Sequence, residues 1–288
     1  MIGPIRSILF VPGSRQDRFG KAMSAGADAV AFDLEDGVEA AQKERARALI
    51  AGFLSGPASS EALRLVRFNP VGTPAGDGDL AFFRDLDGFD GILLPKVETP
   101  GTLETVARAF ASGRKAGRVP PLLPLLESPR AILHAADIAA AAAPVAALLF
   151  GAEDLTARLG VPRTVDGEEL VVARGQIALA AAAVGAEAVD AVFTNLDDLA
   201  LLRRDCERGR AFGFRGKMAI HPKQVAVINE VFTPSDADVE RARRVVEAYE
   251  AARAVGEGVT RMGDQMVELP IVERARRTLA LAARYAGR

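Results

Sequence analysis

Leu122-Leu123-Pro124-Leu125-Leu126-Glu127-Ser128-Pro129 runs from apolar residues through one acid into a helix start. An uninterrupted apolar run this short suits a strand buried on both faces rather than one that alternates toward water. Ser128 followed by Pro129 marks the first turn of a helix. The stretch therefore reads as a buried strand, an acid at its carboxyl end, and the helix that carries the chain back.

The same unit recurs on either side. Apolar runs at 7–11, 29–33, 63–68, 91–95, 122–127, 146–151, 188–193 and 217–220 read as strands. Helices are expected at 17–25, 40–54, 102–112, 129–142, 168–184, 197–210 and 222–231. Strand–helix alternation with near-continuously apolar strands predicts a parallel sheet. Eight repeats predict an α/β fold closed into a (β/α)8 TIM barrel. The alternative is an open doubly wound sheet, but no Gly-x-Gly-x-x-Gly follows the first strand. In the third connection Gly72, Pro74, Gly76 and Gly78 precede a short candidate helix at 80–85, which reads as an extended loop on the active face.

After residue 232 the alternation stops. Ser235 three residues before Asp238 predicts a capped helix over 236–254. A polar, glycine-containing stretch follows at 256–268, then a helix at 270–285. Residues 1–232 are thus expected to form a TIM-barrel catalytic domain, and 233–288 a C-terminal helical extension at an oligomer interface.

Composition narrows the function. The chain has 288 residues, 49% of them hydrophobic, and a net charge of −2, which supports a large core and gives no electrostatic case for a nucleic-acid partner. One cysteine cannot form an internal disulfide, and Cys206 reads as a bystander on a helix in a reduced compartment. No signal peptide or membrane span is visible, so a cytoplasmic protein is the expectation. No His or Cys cluster has metal-ligand spacing, so any metal must be held by oxygen.

In such barrels the active site lies at the carboxyl ends of the strands. Asp33 ends the second strand on the face of Ala29 and Ala31, small residues that suit a barrel interior, and Glu35 continues that face. Asp36 is equally readable as a helix-capping acid. Arg67 ends the third strand, where a guanidinium can hold a carboxylate or stabilise an enolate oxygen. Lys96 follows the fourth strand and reads as an electrostatic holder rather than a Schiff-base lysine. Glu127 and Asp154 follow the fifth and sixth strands. Two carboxylates from adjacent strand ends suit a hard cation such as Mg2+, which takes few protein ligands. His221 after the last strand reads as a packing residue. Arg15, Arg18 and Lys21 place positive charge at a helix start, a candidate phosphate site.

Taken in order, these segments resemble the citrate lyase β-subunit-like proteins, relatives of malyl-CoA and citramalyl-CoA lyases. The segments are Arg6-Ser7 through Phe10-Val11-Pro12-Gly13, Gly26-Ala27-Asp28-Ala29 through Asp33-Leu34-Glu35-Asp36, Lys43 with Ala46-Arg47, and Arg67 with Asn69. They continue through Leu94-Pro95-Lys96-Val97-Glu98, Glu127-Ser128-Pro129, Gly151 to Asp154-Leu155, and His221-Pro222 with Gln224-Val225. The resemblance implies an Mg2+-dependent carbon–carbon lyase acting on a CoA thioester or acyl-carrier-bound substrate and releasing a keto acid. It implies Glu127 and Asp154 as metal ligands, Arg67 as the substrate-polarising group, and Arg15, Arg18, Lys21 and Lys96 near the CoA side. It also implies a homo-oligomer, with a trimer favoured. Relatives carry a C-terminal Asp-Gly-Lys-Met stretch whose aspartate can reach a neighbouring subunit's site and take part in catalysis or thioester hydrolysis. Here the order is Gly263-Asp264-Gln265-Met266, with Asp264 as the replacement candidate. Asp33, Glu35 and Asp264 are the candidate bases. A malyl-CoA-type thioesterase and an accessory acyl-binding subunit without activity of its own are the competing expectations. A metal aldolase for free hydroxy-keto acids fits less well, because Asp36 stands where those proteins usually carry histidine.

Overall fold

The computed structural model describes residues 3–57, 60–113 and 119–286. The chain divides into two compact units, Met1–Phe232 and Thr233–Arg288.

The first unit is a closed barrel of eight strands in sequence order: β1 (Ser7–Pro12), β2 (Ala29–Asp33), β3 (Leu63–Arg67), β4 (Gly91–Leu94), β5 (Leu122–Leu126), β6 (Ala147–Phe150), β7 (Glu187–Asp190) and β8 (Gly216–Ala219). Neighbours pair in parallel, and Ser7 opposite Lys217 closes the ring. Residues such as Ile8, Ala31, Leu65, Leu93, Leu125 and Val189 fill the inside. Their neighbours, among them Leu9, Val30, Val66 and Leu126, pack outward against the helices. Both faces are buried, which is why the strands read as continuous apolar runs. Alternation then decides what points into the mouth. Asp33 follows Ala31 by two positions, Arg67 follows Leu65, and Glu127 follows Leu125, so all three lie on the inner face.

Lys217 and Asp190 fall on the outer face, beside inward Met218 and Val189. There they join Arg174, from the helix Val171–Val184, and Asp205, from the helix Leu199–Phe212. Arg174 Nη2 reaches Asp190 at 2.9 Å and Asp205 at 2.7 Å, and Lys217 Nζ reaches the same acids at 3.0 and 2.6 Å. This buried network ties the last two strands to their covering helices. Burial alone would raise the Asp205 carboxyl, but Lys217 and Arg174 hold it well below the usual carboxylate range. Burial pushes the neighbouring Cys206 thiol up to about 12, so it is inert packing.

Several boundaries differ from the sequence reading. The third crossover is a helix over Pro74–Phe83, not a loop with a short helix at 80–85. Pro74 takes the first helical position, and the Thr73 hydroxyl accepts the Gly76 N–H at 3.1 Å. Its glycines answer crowding: a Cβ on Gly76 would lie 2.1 Å from the Pro70 carbonyl oxygen. The expected helix at 129–142 is two short ones, Pro129–Leu133 and Ala135–Ala139, broken where His134 leaves helical geometry at φ −101°, ψ 15°. The stretch at 17–25 is a 3-10 turn, Gln16–Arg18, followed by a five-residue helix, Phe19–Met23. Beyond the sixth strand, Asp154 sits in the first turn of a further helix, Ala152–Leu159.

The second unit contains helices Asp236–Ala254 and Leu269–Tyr285 around a small core of Ala242, Val245, Tyr249, Val267, Val272 and Ala275. Ser235 and Asp238 form the capping box that their spacing predicts. The stretch at 256–268 contains an antiparallel hairpin, β9 (Thr260–Met262) and β10 (Gln265–Val267), turned by Gly263 at φ 61°. Strands of three residues are too short for an alternation signal. Among the described residues no helix is long and apolar enough to cross a membrane.

Candidate active site

The barrel mouth is organised around Arg67. Its Nε and Nη2 donate to Asp33 Oδ1 and Oδ2 at 2.6 and 2.7 Å, and its Nη1 lies 2.9 Å from Glu35 Oε2. Burial opposes the guanidinium's charge, but Asp33 and Glu35 outweigh it and keep the group firmly protonated. A guanidinium has five N–H donors, so some remain for a substrate oxygen. The Phe10 ring lies 4.9 Å from the guanidinium carbon and adds a cation–π contact.

Asp33 and Glu35, both candidate bases, are in different situations. The Asp33 carboxylate also accepts the Glu35 and Gly37 amides at 2.8 and 3.0 Å. Four donors engage its two oxygens, which makes it an anchor for Arg67 and for the turn after β2. Glu35 is also buried, yet its Oε1 accepts no hydrogen bond. Lys96 Nζ stands 3.1 Å from that oxygen as its ion-pair partner. Burial pushes the Glu35 carboxyl up, an effect the Arg67 charge offsets only in part.

Lys96 bridges the second strand to the fifth. Its backbone sits at φ 53°, a left-handed conformation unusual for a side chain other than glycine. Its N–H donates to Glu127 Oε1 at 2.6 Å while its ammonium faces Glu35 and, at 4.0 Å, Asp36. Burial works against that ammonium, but Glu35 and the neighbouring acids hold its pKa above the ordinary lysine value. A lysine held protonated is an electrostatic partner and a poor nucleophile.

Glu127 is almost fully buried. Burial, then the charge of Glu35, and after them that of Asp154, push its carboxyl up to about 8, against the help of the Lys96 N–H. Gly151 makes room for it: a Cβ there would lie 2.3 Å from Glu127 Cβ and 2.8 Å from its Oε2. Asp154 is half-buried near the same acid. Among the described residues no cluster of three or more His, Cys, Asp or Glu side chains is arranged to hold a metal. A cation held by Glu127 and Asp154 would have two carboxylates, with water or substrate to complete its set.

Behind the rim lies a layer that the sequence reading did not assign. Lys43 Nζ donates to the Leu34 and Glu35 carbonyls and to Asn69 Oδ1, at 2.9, 3.0 and 2.6 Å. Asn69 passes its amide and backbone N–H to Asp79, and Asp79 accepts from Arg47 Nε at 2.6 Å. The available signal was Thr73-Pro74, a helix start that would have placed Asp79 on a helix.

Arg15, His221 and Asp264 make local contacts within their own segments. Arg15, Arg18 and Lys21 are exposed, and Arg15 is paired with Asp17 at 2.9 Å. A 3-10 turn and a five-residue helix give them no helix terminus worth an anion site. His221 Nδ1 accepts the Lys223 N–H at 3.1 Å, a local turn contact. Asp264 is on the hairpin turn of the second unit, fully exposed, 3.3 Å from Arg261.

Known proteins share this architecture. Residues 6–222 match the family model described as HpcH/HpaI aldolase/citrate lyase. A (3S)-malyl-CoA thioesterase of Cereibacter sphaeroides is 38% identical over 284 residues, covering 99% of this chain and 96% of that protein. The citrate lyase subunit beta of Escherichia coli is 35% identical over 282 residues, covering 96% and 93%. Among solved structures, the CitE protein of Mycobacterium tuberculosis in complex with magnesium, acetoacetate and coenzyme A superimposes with a TM-score of 0.81 at 33% identity, covering 98% of this chain and 99% of that one. With its barrel, its acid-and-arginine mouth and a family match across most of its length, the chain belongs to the HpcH/HpaI aldolase/citrate lyase family.

Proposed function

We propose that the protein is a magnesium-dependent carbon–carbon lyase that cleaves or forms a 3-hydroxyacyl thioester, with CoA or an acyl carrier as the thiol. The observation that carries this reading is the mouth itself. A buried Glu127 is crowded by two further acids, and Arg67 and Lys96 stand beside them. Such crowding favours a divalent cation, and the donors are all oxygen, which suits Mg2+. The relatives support the choice: the M. tuberculosis structures hold magnesium with acetoacetate and coenzyme A, or magnesium with oxaloacetate.

Glu127 and Asp154 would hold the ion, which supplies Lewis-acid polarisation of the substrate's oxygens when bound. The remaining chemistry falls to the chain. Glu35 Oε1 is met only by the Lys96 ammonium, whereas Asp33 has four donors, so Glu35 is the base that takes the substrate's hydroxyl proton. As that O–H bond breaks, the electrons form the keto group, and the adjacent carbon–carbon pair moves into the thioester to give an enolate. Arg67 N–H groups not engaged by Asp33 and Glu35 stabilise the enolate oxygen. A proton from solvent water reaches that carbon to give the shorter acyl thioester, Glu35 releases its proton to solvent, and the keto acid departs. Condensation runs the same steps backward. Lys96 balances Glu35, and Asp33 holds Arg67 in place.

A second reading has its own support. Relatives at 38% identity are named (3S)-malyl-CoA thioesterases, so hydrolysis of the thioester is the nearest alternative outcome. Asp264, exposed on its hairpin, is the residue that reading turns on.

The deciding experiment is to incubate the purified protein with malyl-, citramalyl- and citryl-CoA, with and without Mg2+, and identify products by mass spectrometry. A keto acid with a shorter acyl-CoA supports the lyase. A hydroxy acid with free CoA supports the thioesterase. Failure to turn over any of the three in Mg2+ would sink both readings and leave an accessory acyl-binding subunit.

A further inference from the structure

We infer that Lys43 is a positioning residue that sets Glu35 for its task by gripping the turn after β2 from behind; this rests on the reading of Glu35 as the base. The Lys43 ammonium has three donors, and all three are engaged. Two go to the Leu34 and Glu35 carbonyls, which flank the Glu35 residue along the backbone. The third goes to Asn69, just beyond the end of β3. None of the three goes to the Glu35 carboxylate, which Arg67 and Lys96 face.

The grip is itself fixed. Lys43 and Arg47 are one helical turn apart on Lys43–Leu54 and so share a face. Arg47 holds Asp79, which is wholly buried, and Asp79 holds Asn69 by both backbone and side chain. A Cβ on Gly78 would lie 2.9 Å from Arg47 Nη2, so the crossover helix is packed closely over this guanidinium. The helix after β2, the end of β3 and the third crossover therefore converge on two peptide carbonyls. From the front, Asp33 accepts the amides of Glu35 and Gly37. The turn is held at several points, and the result is a Glu35 carboxylate with one oxygen on Arg67 and the other facing Lys96. With its three donors spent on protein acceptors, Lys43 acts on the substrate only through Glu35.

The test is a double-mutant cycle between Lys43→Met and Glu35→Gln, read by kcat, by KM for the thioester, and by the rise in Tm on adding Mg2+. The single variant Lys43→Met is expected to lose about 10–100-fold in kcat with little change in KM, the cost of misplacing a reacting group. It is expected to keep the Mg2+-induced rise in Tm, because Glu127 and Asp154 belong to other strand ends. In the Glu35→Gln background, Lys43→Met should cost nothing further. Lys43→Gln, which retains amide donors, should recover part of kcat and serves as the second variant if Lys43→Met does not fold. Full additivity of the two changes, or wild-type kcat in Lys43→Met, would overturn the inference. Wild-type kcat in Glu35→Gln alone would instead overturn the reading of Glu35 as the base.

Discussion

Asp33 and Arg67 are register partners on the last rung between β2 and β3, and their side chains close a two-point fork at 2.6 and 2.7 Å over that rung. The fork aligns the guanidinium in the mouth before any substrate arrives. A lysine cannot reproduce it, because it offers a point charge in place of a planar fork. Arg67→Lys is therefore expected to fold normally yet lose about 10²–10³ in kcat, the usual cost of removing an oxyanion donor. Steady-state kinetics on the CoA ester identified by product analysis, with circular dichroism as the folding control, checks this.

Gly151 is predicted to be intolerant of even one methyl group. The added Cβ would intrude on Glu127 at 2.3 Å, where the neighbouring atoms belong to the proposed metal ligand itself. Gly151→Ala should weaken Mg2+ by about 10–100-fold, as disturbing a ligand's supporting contacts commonly does. Titration calorimetry measures it; unchanged affinity would show that Glu127 does not hold the ion.

Lys96 separates backbone from side-chain effects. Its φ of 53° costs a residue with a Cβ about 1–2 kcal/mol, and glycine nothing. Lys96→Gly and Lys96→Ala both lose the contact with Glu35, but only the glycine relieves the backbone. Urea unfolding should find the glycine variant more stable than the alanine variant by about 1 kcal/mol.

The network outside the barrel governs acid stability. Asp205 has its carboxyl held below the ordinary value of 3.8, chiefly by Lys217 and Arg174 acting against burial. A depressed carboxyl stabilises the fold above its unfolded pKa, and that contribution is lost as pH falls through and below that value. Asp205→Asn leaves two buried cations facing Asp190 alone, at a cost of about 3–5 kcal/mol at neutral pH. Urea unfolding should show the wild type's full advantage over Asp205→Asn at pH 7 and 5, and its first loss at pH 3.

Which parts of this molecule were legible in advance follows from which interactions are local. The barrel was legible because strands buried on both faces are apolar at every position, and eight such runs alternate with helices. The inward placement of Asp33 and Arg67 followed from a period of two. Their mutual bond did not, since it depends on the register between β2 and β3. Without that bond, Asp33 looked as good a base as Glu35. The Lys43–Asn69–Asp79–Arg47 chain was hidden by glycines in the third crossover, which suggested a loop where close packing required small residues in a helix. The single helix expected at 17–25 is a 3-10 turn and a short helix because a short turn and a true helix begin with similar sequence.

Everything in the proposed chemistry depends on Glu127 and Asp154 meeting at one divalent ion. The most direct measurement is a crystal structure of the protein grown with Mg2+ and a keto acid. The account predicts an ion about 2.0–2.1 Å from a carboxylate oxygen of each residue, with the other positions taken by water and ligand oxygens. An ion bound by only one of the two, or by neither, would contradict it.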